Sequence, residues 1–408
     1  MKKVLQVTLG ILTAIGGFVD IGDLVANAGT GARFGMRLAW VVPLGVGGII
    51  VYAEMAGRVA ASSSRPVFEL VRERLGPRAG LVNLVASFFI NFLTLTAELA
   101  GVAIALSLVA SVHYLLLLPV AAVLVWLIIW RLPFEWMERV FGLAGLCLLV
   151  FAVTVWKIGP DWTALAHATR PAIPPDETPF TYAYYAIALF GAAMTPYEVF
   201  FFSSGAVEEG WDQGDLALNR ANVYIGFPLG GLLSLALMAS AYLVLAPHNI
   251  EVTTLAQVTL PATVVVGRLG LAAALIGIFA ATFGAALETA LSAGYTVAQY
   301  LGWEWGKRVE PRQAARFHLV VLMSIIAAAL FGLTGVDPVK VTEYSIVLSA
   351  AALPLTYFPI LVIANDRDYV GEHTNGPILN TIATGYLVLL FAVAVAAIPL
   401  ILITKGGA

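Results

Sequence analysis

The stretch Gly16-Gly17-Phe18-Val19-Asp20-Ile21-Gly22-Asp23 decides how the rest of the sequence is interpreted. It lies inside an apolar segment, residues 4–30, that carries no other charged residue. A charged aspartate at the centre of a bilayer costs about 3 kcal/mol even on the mildest scale, so an acid at that depth indicates function. The glycines allow the helix to break, and broken helices occur at membrane depth only where they line a protein cavity.

A plainer alternative is a kinked helix in which Asp23 merely caps a half-helix that starts at Leu24. This alternative explains Asp23 and leaves Asp20 without a role. We therefore favour a pair of functional carboxylates in the first apolar segment.

The composition predicts a polytopic membrane protein. The 408 residues are 60% apolar and only 12% charged, which excludes an ordinary soluble core. At about 20 apolar residues per span, the chain has room for ten to twelve membrane helices. The net charge of -3 gives no reason to expect a nucleic-acid partner. The single cysteine, Cys147, cannot build a disulfide within the chain or a multi-thiolate metal site.

Apolar runs and helix breakers predict eleven spans in one transmembrane domain, residues 1–408. The predicted spans cover about residues 4–32, 36–60, 79–110, 115–131, 136–157, 179–206, 218–246, 262–300, 314–333, 337–364 and 379–403. The eighth is too long for one simple crossing, so part of it is expected to tilt or protrude. A division into two repeats and an extra helix places them at about 4–157, 179–364 and 379–403.

Lysine and arginine placement predicts the orientation. Basic residues concentrate before span one, between spans two and three, and between spans eight and nine, which puts these segments on the cytoplasmic side. The N-terminus is then cytoplasmic and the C-terminus outside, in the plasma membrane of a prokaryote. The loop at 61–78 is expected to contain a short amphipathic helix, and the proline-rich loop at 158–178 to be external and irregular.

A second interruption follows five spans after the first. The sixth span reads Phe190-Gly-Ala-Ala-Met-Thr-Pro-Tyr-Glu-Val199, with Pro196 inside an apolar run and Glu198 two positions later. A proline removes a helical hydrogen bond and kinks the chain. Corresponding breaks in two halves of a membrane protein mark the central substrate site of a secondary transporter.

The chemistry of the two breaks suits a hard cation. A broken helix exposes carbonyl oxygens at the negative end of its dipole, and Asp20 and Asp23 add two carboxylates. Oxygen ligands of this kind suit Mg²⁺, Ca²⁺ or Mn²⁺, and two unpaired acids repel an anionic substrate. No histidine or cysteine lies in either break, so these residues alone do not predict a soft-metal site.

This pattern resembles the NRAMP family of divalent-metal transporters, which carries Asp-Pro-Gly-Asn in the first span and Met-Pro-His-Asn in the sixth. The likeness covers nearly the whole chain and implies an all-α, LeuT-type fold with eleven membrane helices in inverted five-helix repeats. Further similar stretches are Met55-Ala-Gly-Arg58, Phe68-Glu-Leu-Val-Arg-Glu-Arg74, Glu98-Leu-Ala-Gly-Val-Ala-Ile-Ala-Leu106, and Leu353-Pro354 through Asn365-Asp366-Arg367 and Gly371.

The resemblance implies an ion site, position by position. Asp20 keeps the family's metal-binding aspartate, and Asp23 replaces its asparagine ligand, which adds a charge. Gly17 and Ala192 correspond to positions that offer backbone carbonyls. Thr195 stands where the family has a methionine, whose thioether favours soft transition metals. These departures predict a shift from Mn²⁺ towards Mg²⁺, partly hydrated because Mg²⁺ sheds water reluctantly, as in related magnesium transporters that lack the methionine.

Other departures concern proton coupling. Tyr197 and Glu198 replace the family's histidine and asparagine. Glu98 matches an acid of the third span, but Leu95 replaces the aspartate three residues earlier. The resemblance therefore puts proton coupling in doubt, because the lost residues belong to the family's proton route.

Four more residues have two interpretations each, and a fifth has one. Glu198 either reaches the ion path through water or pairs with a basic residue. Glu98 either lines an aqueous route or is a structural acid. Tyr197 is expected to pack in the bundle rather than bind the ion, and Glu54 to bond unwound backbone rather than ligate. Ser345 approximates a tenth-span polar position that supports the ion site in the family.

The sequence thus predicts a carrier, not an enzyme, with no cofactor, that moves a divalent cation across the lipid bilayer by alternating access. Its oligomeric state is left open. One rival is a Na⁺- or H⁺-coupled symporter of a cationic or zwitterionic organic solute, for which Phe18, Tyr197 and Phe200 offer aromatic surface. A second rival is a sensor that binds a ligand without moving it. A lysine or arginine paired with the two aspartates would contradict the metal-carrier hypothesis.

Overall fold

The computed structural model describes residues 18–407, except the side chains of Phe134, Glu135 and Glu138, and these residues form helices and connecting segments without a β-strand. The first ten helices are α1 Ile21–Phe34, α2 Val41–Ser63, α3 Val67–Leu75, α4 Pro77–Ala110, α5 Tyr114–Arg131, α6 Phe134–Gly145, α7 Val150–Ile158, α8 Trp162–Ala168, α9 Pro179–Ala193 and α10 Pro196–Glu208. The others are α11 Leu216–Ala221, α12 Phe227–Val244, α13 Leu255–Val258, α14 Leu260–Val266, α15 Arg268–Leu301, α16 Ala315–Gly332, α17 Pro338–Ala364, α18 Arg367–Val370 and α19 Pro377–Ile403.

The predicted membrane spans are confirmed for spans two to eleven. Within residues 18–407, ten helical stretches are long and apolar enough to cross a bilayer, and they follow the predicted boundaries within a few residues. Helix α1 supplies the second part of predicted span one, whose first part lies outside the described residues. The amphipathic helix expected at 61–78 is α3.

Two connections differ from expectation. Predicted span eight, 262–300, is divided at Gly267, whose φ of 82° is a conformation that L side chains rarely adopt. This turn separates α14 from α15, and α15, with its 34 residues, is still longer than one simple crossing needs. The loop at 158–178 is not wholly irregular, because it contains α8. The side chain of Asp161 caps that helix by accepting from the backbone N–H of Thr163 (2.9 Å).

The helices pack around two apolar clusters. One is built mainly from α1, α2, α9, α12, α17 and α19, and the other mainly from α4, α5, α15 and α16. Small residues let helices approach closely, as is usual in membranes. At Gly31 of α1, an added Cβ would lie 2.3 Å from the carbonyl oxygen of Met238 on α12. The N-terminus of α1 lies where the clusters meet, because Ile21 contacts Gly101 of α4.

Candidate functional site

The break in span one puts Asp20 at the start of α1. Its backbone is extended (φ -98°, ψ -176°), and its Oδ1 accepts from the backbone N–H of Asp23 at 2.7 Å. Asp20 is therefore the N-cap of the half-helix, and the alternative in which Asp23 has that role is wrong. Asp20 has only 1% of its surface exposed, so its charge is removed from water.

Asp23, one turn into α1, is held by two neutral side chains. Its Oδ1 accepts from the amide nitrogen of Asn27 at 2.8 Å, and its Oδ2 accepts from the hydroxyl of Ser234 at 2.6 Å. All three residues are buried. Ser234 belongs to α12, so this carboxylate joins span one to span seven.

The break in span six frees a carbonyl oxygen. Helix α9 ends at Ala193, Thr195 is extended (φ -69°, ψ 125°), and α10 begins at Pro196. Four residues after Ala192 the chain has Pro196, which carries no N–H, so the helical hydrogen bond to the Ala192 carbonyl cannot form. This is the local reason why Ala192 can offer an oxygen to a cation.

Tyr197 of α10 connects the two breaks, and Thr195 makes a bond within the second one. The hydroxyl of Tyr197 donates to Oδ2 of Asp20 at 3.2 Å, and the hydroxyl of Thr195 donates to Glu198 at 3.2 Å. Tyr197 therefore contacts the candidate site, whereas the sequence suggested only packing. The partner that the structure gives Glu198 is a hydroxyl rather than a basic residue.

Glu98 of α4 contacts the start of α1 from a third helix. Its Oε1 accepts from the backbone N–H of Ile21 at 3.1 Å, which satisfies a donor at the start of α1. Its Oε2 is buried and has no hydrogen-bond partner among residues 18–407. One oxygen is thus structural, and the other remains available to water.

Two other predicted residues have partners away from the two aspartates, and a third is not described by the structure. Glu54 was expected to bond unwound backbone, but its carboxylate forms an ion pair with Arg58, one turn along α2, at 3.1 Å. Ser345 of α17 shares a hydrogen bond of 2.9 Å with Thr94 of α4. Gly17 lies outside the described residues.

The two aspartates form an anionic pocket whose partners are neutral. In the described part of the chain, the side chains that donate to them are those of Asn27, Ser234 and Tyr197. Buried carboxylates without a cation are costly, so a positively charged ligand is the expected partner. The described residues contain no group of three or more His, Cys, Asp or Glu side chains arranged to hold a metal. A bound metal must therefore complete its shell with hydroxyls, carbonyls or water.

The only sulfur within the sixth-span break packs against α2. The sulfur of Met194 occupies the space beside Gly48 of α2, where an added Cβ would lie 2.5 Å from it. This packing leaves oxygen atoms as the donors on the α9–α10 side of the pocket. Oxygen donors suit hard cations better than soft ones.

A cavity of about 330 Å³ leads from the far end of α1 towards the breaks. Val25, Gly29 and Arg33 of α1 face it, and Ile346 of α17 lies at its inner end. An added Cβ at Gly22 would lie 2.7 Å from the Ile346 side chain, so Ile346 covers the start of α1. Ile346 therefore lines the cavity and also packs against the start of α1.

Comparison with known proteins identifies the family. The family model described as natural resistance-associated macrophage protein-like (Nramp) matches residues 10–400. The chain belongs to the Nramp family. Two Nramp relatives, both named divalent metal cation transporter MntH, are each 25% identical. That of Aeromonas hydrophila aligns with 91% of this chain and 90% of its own length, and that of Pectobacterium carotovorum with 93% and 90%.

Solved structures support the same Nramp architecture. A manganese transporter of Eremococcus coleocola superposes with a TM-score of 0.70 at 16% identity, covering 99% of this chain and 93% of that one. A Na⁺-coupled sialic acid symporter gives a TM-score of 0.63 at 13% identity, covering 95% and 88%. These likenesses confirm the predicted LeuT-type fold.

Asn27 and Ser234 are the site residues that sequence reasoning missed. Asn27 follows Asp23 by four residues, a spacing that places both on one helix face, so this partner could have been found. Ser234 is an ordinary serine in an apolar helix, 211 residues from its partner. Nothing in the local sequence distinguishes it.

Proposed function

We propose that this Nramp-family chain carries divalent metal cations across a membrane by alternating access. The observation that carries the proposal is the buried pair Asp20 and Asp23, whose side-chain donors in the described residues are all neutral. A dication at the start of α1 would compensate both charges. The names of the MntH relatives and of the manganese transporter with the same fold support this cargo.

The proposed ligands are oxygen atoms from both breaks. Asp20 and Asp23 bind the ion or its water shell, Gly17 and Ala192 offer carbonyls, and Thr195 offers a hydroxyl oxygen. An oxygen shell with retained water favours Mg²⁺, which dehydrates reluctantly, and still accepts Mn²⁺. Glu98, Glu198 and Tyr197 surround this shell.

The packing of the aromatic rings gives little support to an organic solute. Phe18 packs edge-on against Phe227 with ring centres 6.3 Å apart, and Phe200 against Phe68 at 5.0 Å. The Tyr197 hydroxyl is bonded to Asp20. These rings serve the packing of the bundle.

We also propose a transport cycle for this fold. We propose that spans one, two, six and seven rock as a unit against the other spans of one domain with two repeats, about 4–157 and 179–364. The N-terminus is cytoplasmic, the C-terminus outside, and the cavity beside Arg33 opens outwards. The membrane potential alone drives uptake, because about 2.3 kcal/mol is available per charge per 100 mV. We propose transport without proton coupling, since Tyr197 and Leu95 stand where the family has residues of its proton route.

Flux into proteoliposomes tests this function. We expect Mg²⁺ uptake into vesicles that contain the full chain, faster under a potassium-diffusion potential that is negative inside, and no accompanying acidification of the lumen. A fluorescent magnesium indicator and a pH indicator inside the vesicles measure both. Protein-free vesicles treated in the same way are the control. Binding of Mg²⁺ and Mn²⁺ without flux would favour the sensor, and flux of an organic amine alone would favour the symporter.

A further inference from the structure

Ser234 of α12 makes a short, charge-assisted hydrogen bond to Asp23. Its hydroxyl lies 2.6 Å from Oδ2 of Asp23 and 3.2 Å from the carbonyl oxygen of Gly230 in its own helix. A hydroxyl has one proton, and the shorter contact to a carboxylate is the stronger bond. Ser234 therefore donates across the helix interface and fixes one oxygen of Asp23.

Asn27 fixes the other oxygen of Asp23. Its amide nitrogen donates to Oδ1 of Asp23 at 2.8 Å and to the Asp23 backbone carbonyl at 2.9 Å. Exchanging the amide oxygen and nitrogen would place an acceptor against two acceptors, so this orientation is determined by its neighbours. The amide oxygen of Asn27 is buried and has no partner among the described residues. It is an acceptor that a water molecule can satisfy.

Asp20 is held in a different way. Its Oδ1 accepts from a backbone N–H of its own helix, and its Oδ2 contacts Tyr197 beside the sixth-span break at 3.2 Å. Asp20 thus faces the break where Ala192 and Thr195 offer oxygen atoms. The oxygens of Asp23 accept shorter side-chain bonds, at 2.8 Å from Asn27 and 2.6 Å from Ser234, so Asp23 is held more tightly than the Asp20 oxygen beside the break.

We propose that Ser234 and Asn27 orient Asp23 so that this carboxylate binds the water shell of the cation, while Asp20 contacts the metal itself. Ser234 is then a positioning residue that sets ion selectivity, and this inference rests on the function proposed above. A site that keeps water around its ion favours Mg²⁺, because Mg²⁺ gives up water reluctantly. Releasing Asp23 for direct contact removes this advantage and favours Mn²⁺.

Calorimetric binding of Mg²⁺ and of Mn²⁺ to the purified full chain in detergent tests the inference. In Ser234→Ala, we expect the affinity ratio of Mn²⁺ to Mg²⁺ to rise about tenfold, the usual size of an effect from a group that supports a metal ligand. Ser234→Thr keeps the hydroxyl and should keep the wild-type ratio. Ser240→Ala is the matched control, because the Ser240 hydroxyl on the same helix is buried and bonds to its own helix at Leu237.

An unchanged ratio in Ser234→Ala would overturn the inference and leave the proposed function intact. A wild-type chain that binds neither ion would overturn the proposed function, and this inference with it. If Ser234→Ala does not fold, Ser234→Cys provides the second measurement, because a thiol is a much weaker donor than a hydroxyl. Its ratio should move in the same direction, and a wild-type ratio in that variant would contradict the inference.

Discussion

Asp20→Ala should reduce divalent flux by about 100-fold, since losing about 3 kcal/mol of interaction with the ion slows transport by that factor. Asp20 lies at the start of α1, contacts Tyr197 of the opposite break, and has only 1% of its surface exposed. Removing it leaves the pocket with a single aspartate. The measurement is initial Mg²⁺ uptake into proteoliposomes at equal protein content.

The alanine variant also loses a helix cap, worth about 1 kcal/mol of stability, so a second variant is needed. Asp20→Asn keeps a side-chain oxygen that can cap α1 and removes only the charge. It should show nearly the same loss of flux as Asp20→Ala. Asp161→Asn is the matched control, because Asp161 caps the exposed helix α8 in the same way, and it should leave flux unchanged. Wild-type flux in Asp20→Asn would show that the charge of Asp20 is not used.

Gly31→Ala should destabilise the protein by about 1 to 3 kcal/mol, the usual cost of an extra methyl group in a tightly packed interior. The new Cβ would lie 2.3 Å from the backbone carbonyl oxygen of Met238, and backbone cannot move aside as a flexible side chain can. Helices α1 and α12 must then separate. We expect a lower melting temperature in detergent, measured by the fluorescence of a thiol-independent dye.

Gly29→Ala provides the comparison within the same helix. An added Cβ at Gly29 has no neighbour within 4 Å and faces the cavity. Replacing a helical glycine by alanine stabilises by about 0.5 to 1 kcal/mol when nothing obstructs the methyl group. The melting temperature of Gly29→Ala should therefore stay level or rise. Equal losses in both variants would mean that the approach of α1 to α12 does not limit stability.

The two breaks could be predicted because each one contains a residue type that is unusual in an apolar membrane helix. A carboxylate at Asp20 and a proline at Pro196 are both unfavourable in a plain membrane helix, so they stand out in an apolar sequence. The span boundaries followed for the same reason, from long apolar runs between charged or proline-rich segments. These signals are local, so they can be recognised in the sequence without knowing how the helices pack.

Contacts between distant helices could not be predicted in this way. The bond from Ser234 to Asp23 depends on the rotation of α12 against α1, which a serine in an apolar run does not encode. The pairing of Glu54 with Arg58 does follow helical spacing and could have been predicted in place of a bond to unwound backbone. The turn at Gly267 does have a local signal, because Arg268 follows the glycine and interrupts the apolar run, but the prediction of one long span passed over it.

The far end of α1 is anchored as firmly as its acidic end. The guanidinium of Arg33 forms an ion pair with Glu177, and it donates to the Tyr185 hydroxyl at 3.2 Å and to the Gly407 carbonyl at 2.7 Å. A helix of 14 residues is about 21 Å long and stiff. The two aspartates lie at one end of this stiff helix, and the Arg33–Glu177 ion pair lies at the other. A tilt of α1 large enough to widen the cavity must therefore first break the contacts of Arg33 with Glu177, Tyr185 and Gly407.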